Sequence, residues 1–198
     1  MIFYISDTHF NHSNIIDFDK RPFTNVDEMN ETLIHNWNSV VKRGDQVYIL
    51  GDFCWSRDEN VWISILRRLN GQKFLIRGNH DPKRVPGKLV KCFAQVCDYK
   101  EIKDCGRTVV MSHYPILFYK HDYRPDTIML YGHVHTTKEN SLVQECLSLI
   151  REKDENFWGN APANLAQAYN VGCMMPWMNY TPQTLDQIIL LGEGKYAE

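Results

Sequence analysis

Gln46-Val47-Tyr48-Ile49-Leu50-Gly51-Asp52 is an apolar run of β type that stops on a glycine and a carboxylate. Upstream, Ile2-Phe3-Tyr4-Ile5-Ser6 has the same character and stops on Asp7-Thr8-His9; downstream, Lys73-Phe74-Leu75-Ile76 runs into Gly78-Asn79-His80-Asp81. Helical patterns fill the intervals. Over about Asp27–Val41 the apolar residues Met29, Leu33, Trp37 and Val40/Val41 recur at three- and four-residue spacing, with Asn25 and Glu28 placed as a capping box. Val61, Ile65, Leu66 and Leu69 predict another helix, ended by Asn70-Gly71. Strands alternating with helices of these lengths predict an α/β fold of layered α+β character, with central mixed β-sheets flanked by helices and a parallel first part.

Farther along, Val96–Lys103 and Arg107–Ser112 flank Asp104-Cys105-Gly106 and predict a hairpin, and Thr127–Tyr131 leads into Gly132-His133-Val134-His135. The second half is richer in antiparallel signals. An apolar stripe of Leu142, Val143, Cys146, Leu149 and Ile150 predicts a helix packed by that face. A polar run, Glu152–Asn160, follows; a strand near Ala168–Val171 and a helix around Leu185–Leu190 complete the pattern. With no internal repeat and no linker, one domain over residues 1–198 is expected.

Lys and Arg number 22 against 24 Asp and Glu, for a formal net charge of −2, so nothing draws the chain generally to a polyanion and extended nucleic acid is disfavoured. No apolar run approaches the ~18–20 residues of a membrane helix, and no basic leader precedes Ile2; a soluble, cytoplasmic protein is expected. The six cysteines form no C-x-x-C pair and read as free thiols of a reducing compartment.

In open α/β sheets ligands gather beyond the carboxyl ends of the strands. Asp7-Thr8-His9 stands there, its two ligand-type side chains on the same side if the backbone is extended. Gly51-Asp52 offers a carboxylate able to bridge two cations. Gly78-Asn79-His80-Asp81 gathers a carboxamide, an imidazole and a carboxylate; His113 and then His133 with His135 follow. Taken singly, Asp-x-His and Gly-Asp also read as surface turns, and a lone His113 as a satisfied histidine.

In this order the clusters resemble the motif series of the calcineurin-like metallophosphoesterase superfamily, D-x-H, G-D, G-N-H-D, H and G-H-x-H, across Asp7 to His135. Asp7-Thr8-His9-Phe10, Asn14-Ile15-Ile16, Asn170-Val171-Gly172 and Asn179-Tyr180-Thr181-Pro182 are similar to its small, uncapped bacterial and phage branch. The resemblance implies a sandwich of sheets and two metal ions, one held by Asp7, His9, Asp52 and His135, the other by Asp52, Asn79, His113 and His133. It also implies that His80 lies outside the metal shell as general acid, with Asp81 orienting it. Imidazole, carboxylate and carboxamide without thiolate suit Mn, Fe or Zn. Two such ions about 3.5–4 Å apart would lower the pKa of a bridging water, giving a hydroxide for in-line attack on phosphorus.

The function expected is therefore hydrolysis of a small or nucleotide-like phosphoester, a diester preferred over a monoester. A nuclease would share the centre and need a basic groove. A protein-binding scaffold that has lost catalysis would not be expected to keep the whole ligand set and His80. Among residues without a motif, His12 is placed to line the substrate pocket, while His35 and His121 read as solvated. Trp55 and Trp158 are candidates to stack a nucleobase, although aromatics mostly fill cores. The loop with Phe157-Trp158 is expected over the metal centre.

Overall fold

A computed structural model of the chain describes residues 1–154 and 166–192. Strands β1 (Ile2–Ile5), β2 (Gln46–Ile49), β3 (Gln72–Ile76) and β4 (Gln95–Cys97) form a sheet in that order, every neighbouring pair parallel. Parallel pairs need crossovers, and helices supply them. α1 (Asn14–Asp19) and α2 (Val26–Val40) join β1 to β2, α3 (Glu59–Arg68) joins β2 to β3, and the short α4 (Gly87–Val90) joins β3 to β4. α2 buries Met29, Leu33, Ile34 and Trp37, as its periodicity predicts. Its cap is half a capping box: Asn25 accepts the Glu28 N–H at 2.9 Å, but the Glu28 carboxylate reaches back to the Thr24 N–H. α1, six residues with one buried side chain, Ile15, is too short to show a period and reads in the sequence as a polar connection.

The second sheet runs β5 (Tyr99–Asp104), β6 (Arg107–Ser112), β7 (Thr127–Tyr131), β8 (Ala168–Asn170). The predicted hairpin is β5–β6, and its turn residues Cys105 and Gly106 both have positive φ, 48° and 77°, as a two-residue type I′ loop requires. Two expectations change. The run Val96–Lys103 is not one strand: it breaks at Asp98, so Gln95–Cys97 pairs with β3 and Tyr99–Asp104 with β6. Arg77 holds the Asp98 carboxylate at 2.7 and 2.6 Å where the chain changes sheets. Among the described strand pairs only that hairpin is antiparallel, β6–β7 and β7–β8 being parallel, with one further antiparallel bridge between Tyr4 and Gln183.

Alternation along β6 shows how the layers stack. Val109 and Met111 join the core shared with the first sheet, whereas Val110 packs with Met129, Tyr131 and Leu147 on the opposite face. Leu147 belongs to α5 (Lys138–Asp154), which covers that face with Val143 and Ile150 beside it. The predicted stripe is met in part: Val143, Cys146 and Ile150 are half-buried and Leu147 beside them is fully buried, whereas Leu142 and Leu149 are 57% and 52% exposed. α6 (Leu185–Gly192) buries Leu185 and Ile188.

The sheets are stitched to one another. Tyr4 donates its hydroxyl to Asp104 Oδ2 at 2.8 Å. Beyond β1, the Ser6 N–H donates to the Val171 carbonyl and the Cys173 N–H to the Ser6 carbonyl, both at 2.8 Å. The loops following β1, β2 and β3 therefore meet those following β6, β7 and β8 along one rim. All six cysteines are free. No helix among the described residues is long and apolar enough to cross a membrane. Phe157 and Trp158, expected over the metal centre, lie outside the described residues.

Candidate metal centre

Along that rim the backbone turns left-handed at Asp7 (φ 54°), His9 (48°), Asp52 (51°), His133 (70°) and His135 (47°). None is glycine, and each such turn costs about 1–2 kcal/mol, a cost borne by the surrounding structure. Here the structure is a ladder between loops: Asp7 N–H to Gly51 O at 3.1 Å, His9 N–H to Asp52 O at 3.0 Å, Phe10 N–H to Phe53 O at 2.9 Å. Asp7 and His9 therefore converge through this ladder and two left-handed turns, not through the extended backbone that their spacing suggests. Gly78 and Gly132 are needed for close approach, since a Cβ on Gly78 would strike the Asp52 carboxylate and one on Gly132 the Asp7 carboxylate.

The polar atoms gathered here are mostly carboxylate oxygens and imidazole nitrogens facing one another. His113 Nδ1 lies 2.7 Å from the Leu50 carbonyl, which can only accept, so Nδ1 carries the proton. Nε2 then faces Asn79 Oδ1 at 2.9 Å and Asp52 Oδ2 at 3.5 Å. His135 repeats the pattern, with Nδ1 on Asp19 Oδ1 at 2.7 Å and Nε2 directed toward Asp7 Oδ1 at 3.6 Å. His9 Nε2 is 3.7 Å from Asp52 Oδ2. Both His9 ring nitrogens and Asp7 Oδ1 are buried without a hydrogen-bond partner. Such groups cost about 1–3 kcal/mol each when left unmet.

Charge follows the same logic. Burial drives the His9 pKa down to about 2, leaving its imidazole neutral with a lone pair to offer. Burial would also raise Asp52, but the hydrogen bond and charge of His113 and the charge of His9 outweigh it and bring the carboxyl to about 2. For His113 burial works against the cation and is overcome by the Asp52 and Asp7 carboxylates, giving about 9, so that without a metal a proton on Nε2 occupies the place between His113 and Asp52 that a metal cation would take. Asp7 is raised, chiefly by burial, so its bare carboxylate lacks positive charge.

These residues fit a metal. Two donors about 2.1 Å from one ion stand about 3.0–3.4 Å apart, close to the separations found here. Ligand atoms of Asp7, His9 and His135 lie within 4.8 Å of one another, as do those of Asp7, Asp52 and His113, and either group could hold an ion. The cleft above them, about 810 Å3, is lined by His9, Asp52, Asn79, His80, His133 and His135, with His12 at its wall as expected. Asp7 and His113 lie beneath, fully buried.

Asp81 is the exception among the predicted residues. Its Oδ2 accepts the N–H groups of Asp52 (3.0 Å) and Gly78 (2.8 Å), and its Oδ1 that of Phe53 (3.0 Å). A carboxylate so engaged clamps the Asp52 loop instead of orienting His80. The carboxylate near His80 is Asp52, with Oδ2 3.9 Å from His80 Nε2 and Oδ1 accepting the His80 N–H at 2.9 Å.

Sequence reasoning missed Asp19 and Arg21. Asp19 fixes His135 through Nδ1 and is itself held by Arg21 at 2.9 and 2.8 Å. The buried Arg21 also donates to the Asp7 and Thr8 carbonyls at 2.9 and 3.0 Å. A carboxylate behind a histidine sets its tautomer and strengthens it as a ligand. The available signal was an acid and an arginine two residues apart, too common to read alone.

Comparison with known proteins agrees with this geometry. The model of the calcineurin-like phosphoesterase family matches residues 1–164. An uncharacterised protein of Methanocaldococcus jannaschii is 35% identical over 98% of this chain and 93% of its own length. The gene 66 protein of Mycobacterium phage L5 is 28% identical over 67% of this chain and 76% of its own. A protein of unknown function from Aquifex aeolicus, solved by crystallography, superposes with a TM-score of 0.67 at 27% identity, covering 96% of this chain and 98% of that one. With five sixths of its length under one family model, from the first strand past the last of the motif histidines, the chain belongs to the calcineurin-like phosphoesterase family.

Proposed function

We propose that the protein hydrolyses a small or nucleotide-like phosphoester, a diester in preference to a monoester, at a centre of two metal ions. The observation that carries this reading is the convergence of His9 and His113 on Asp52, with both His9 ring nitrogens and Asp7 Oδ1 buried and unmet, a need that cations would satisfy. Asp7, His9, Asp52 and His135 would hold one ion and Asp52, Asn79, His113 and His133 the other, with Mn, Fe or Zn suited to these donors. Asp52 is the natural shared ligand, since its Oδ2 lies 3.7 Å from His9 Nε2 and 3.5 Å from His113 Nε2. Once bound, the ions would supply a water of lowered pKa and positive charge for the phosphoryl oxygens.

The chain's own groups do the rest. His80, its side chain 41% exposed at the cleft, holds a proton at the imidazole for the leaving group. As the oxygen of that water, its proton given up to solvent, bonds to phosphorus, the bond to the leaving oxygen breaks and that oxygen takes the proton held at His80. Asp81 keeps the Asp52 loop in place, and Arg21 with Asp19 keeps His135 turned toward Asp7. A diester is favoured because a further cavity of about 360 Å3 opens beyond His80, leaving room on both sides of a phosphorus. A net charge of −2 favours a small substrate over extended nucleic acid, and six free thiols suit a cytoplasmic location. The test is metal analysis with paired assays on bis(p-nitrophenyl) phosphate and p-nitrophenyl phosphate. Turnover of the diester by Mn-, Fe- or Zn-loaded protein, exceeding that of the monoester, is expected; no turnover with any of the three overturns the proposal.

A further inference from the structure

The cavity beyond His80 is lined by Trp55, Ser56, Arg57, Asn79 and His80, and three of these, Trp55, Asn79 and His80, also line the main cleft. The two spaces therefore join at the residue proposed to protonate the leaving oxygen. Whatever departs from phosphorus past His80 must lie there.

The walls of this cavity select for a particular chemistry. The Trp55 indole is stacked on one face by the His12 ring, with centroids 4.1 Å apart and planes 7° from parallel. The His80 ring lies tilted against it, with centroids 4.7 Å apart and planes at 58°. Trp55 nevertheless stays 45% exposed, so an aromatic surface already braced from behind is presented to the cavity. A braced ring loses little freedom when a second planar group stacks on it, and each base stacked on an aromatic side chain gains substantially.

Arg57 adds charge. Among the described residues its guanidinium has no ion pair and no hydrogen bond, whereas Arg68 and Arg77 are each held in two by Glu31 and Asp98. The neighbouring acids are engaged elsewhere: Asp58 Oδ1 accepts the Asn60 N–H at 2.9 Å, and Glu59 lies 4.0 Å from Lys88. An unpaired arginine beside a braced indole is matched by a planar aromatic group that carries an anion.

We infer that this cavity is the leaving group's subsite and takes a nucleobase stacked on Trp55, with an anionic phosphate of the same nucleotide paired to Arg57. This rests on the phosphoesterase reading and narrows it to a small diester whose leaving group is a nucleotide. Trp55 and Arg57 here determine specificity; neither touches the reacting atoms.

The experiment is titration calorimetry of the full, metal-loaded chain with adenosine 5′-monophosphate, adenosine, ribose 5-phosphate and inorganic phosphate. Trp55→Ala is expected to weaken adenosine monophosphate by about 5- to 100-fold, and ribose 5-phosphate by less than about 2-fold. Trp55→Phe, which keeps a ring face, is expected to restore most of the affinity. Arg57→Gln is expected to weaken the monophosphate by about 2- to 5-fold and leave adenosine unchanged, the size of an exposed ion pair. Equal affinity of wild type and Trp55→Ala for the monophosphate, or equal losses on ribose 5-phosphate, overturns the inference. Hydrolysis of bis(p-nitrophenyl) phosphate by the wild type, measured in parallel, separates the two readings. Turnover with no Trp55 effect removes only the subsite. A Trp55 effect without turnover keeps the nucleotide site and removes the reaction.

Discussion

The loop after β2 and the loop after β3 each end a parallel strand, each contain a glycine where a Cβ would clash, Gly51 against the His113 ring and Gly78 against the Asp52 carboxylate, and each bury an aspartate. Asp52 is 2% exposed and Asp81 5%. Their surroundings differ. Three imidazoles stand within 3.9 Å of Asp52 Oδ2, whereas the oxygens of Asp81 take three backbone N–H groups. Their acidities part accordingly. Burial raises Asp81 to about 6 despite the N–H groups of Gly78 and Phe53, while the imidazoles bring Asp52 to about 2 against the same burial. The lesson is that a buried carboxylate ringed by imidazoles, whose nitrogens can hold either a proton or a metal, is a candidate ligand, whereas one met by backbone N–H groups is a structural clamp.

Substitution can break that distinction. The largest effect is expected of Asp52→Asn, which removes the shared charge: metal content at both positions falls together and turnover drops to background. If inductively coupled plasma analysis showed only one ion lost, Asp52 would not be the bridge. In the loop after β3, His80→Ala is expected to keep its metal and lose ~10²–10⁴ in kcat for an alkyl leaving group. With nitrophenolate, which departs unprotonated, the loss should be far smaller; equal losses on both substrates would remove the acid assignment.

A smaller effect is expected at the carboxylate behind His135. Asp19→Asn should weaken metal affinity by about 10- to 100-fold, read in a chelator competition, with folding retained. Unchanged affinity would mean that Arg21 and the backbone position His135 without it. Asp81→Asn should affect turnover least. Replacing one acceptor oxygen by an amide donor loses charge-assisted bonds worth about 2–4 kcal/mol and lowers Tm by about 5–15 °C, with both ions retained. Metal loss in Asp81→Asn with Tm unchanged would erase the contrast between the two loops.

Much of this was legible in the sequence. The strands β1, β2, β3, β6 and β7 and the helices α2 and α3 follow from apolar runs and periodicity, and the residues from Asp7 to His135 that converge on the cleft stand at strand ends in motif order. What stayed hidden has physical causes. Val96–Lys103 is continuous in β character, so nothing local marks the change of sheet at Asp98. The face of α5 was read too wide, because Leu142 and Leu149 fit the same helical stripe as Val143, Cys146 and Ile150, and only the neighbouring sheet centres the contact on Leu147. Asp19 and Arg21 act through bonds to residues 116 positions and 14 positions away in the chain, which spacing does not reveal. Asp81 carried the right residue type in the right motif and was assigned the wrong contact, since motifs record identity and not direction.

The seam at Ser6, Val171 and Cys173 has a consequence for how the molecule holds together. Asp7, His9, Asp52 and Asn79 extend from one sheet and His113, His133 and His135 from the other, so an ion held among them would act as a rivet through two plates. Its binding energy would also be cohesion of the plates. Each tenfold rise in free metal above the dissociation constant should then add about 1.4 kcal/mol to the work of pulling the sheets apart. A cell's metal supply would thereby set not only how fast the protein works but how long each copy survives.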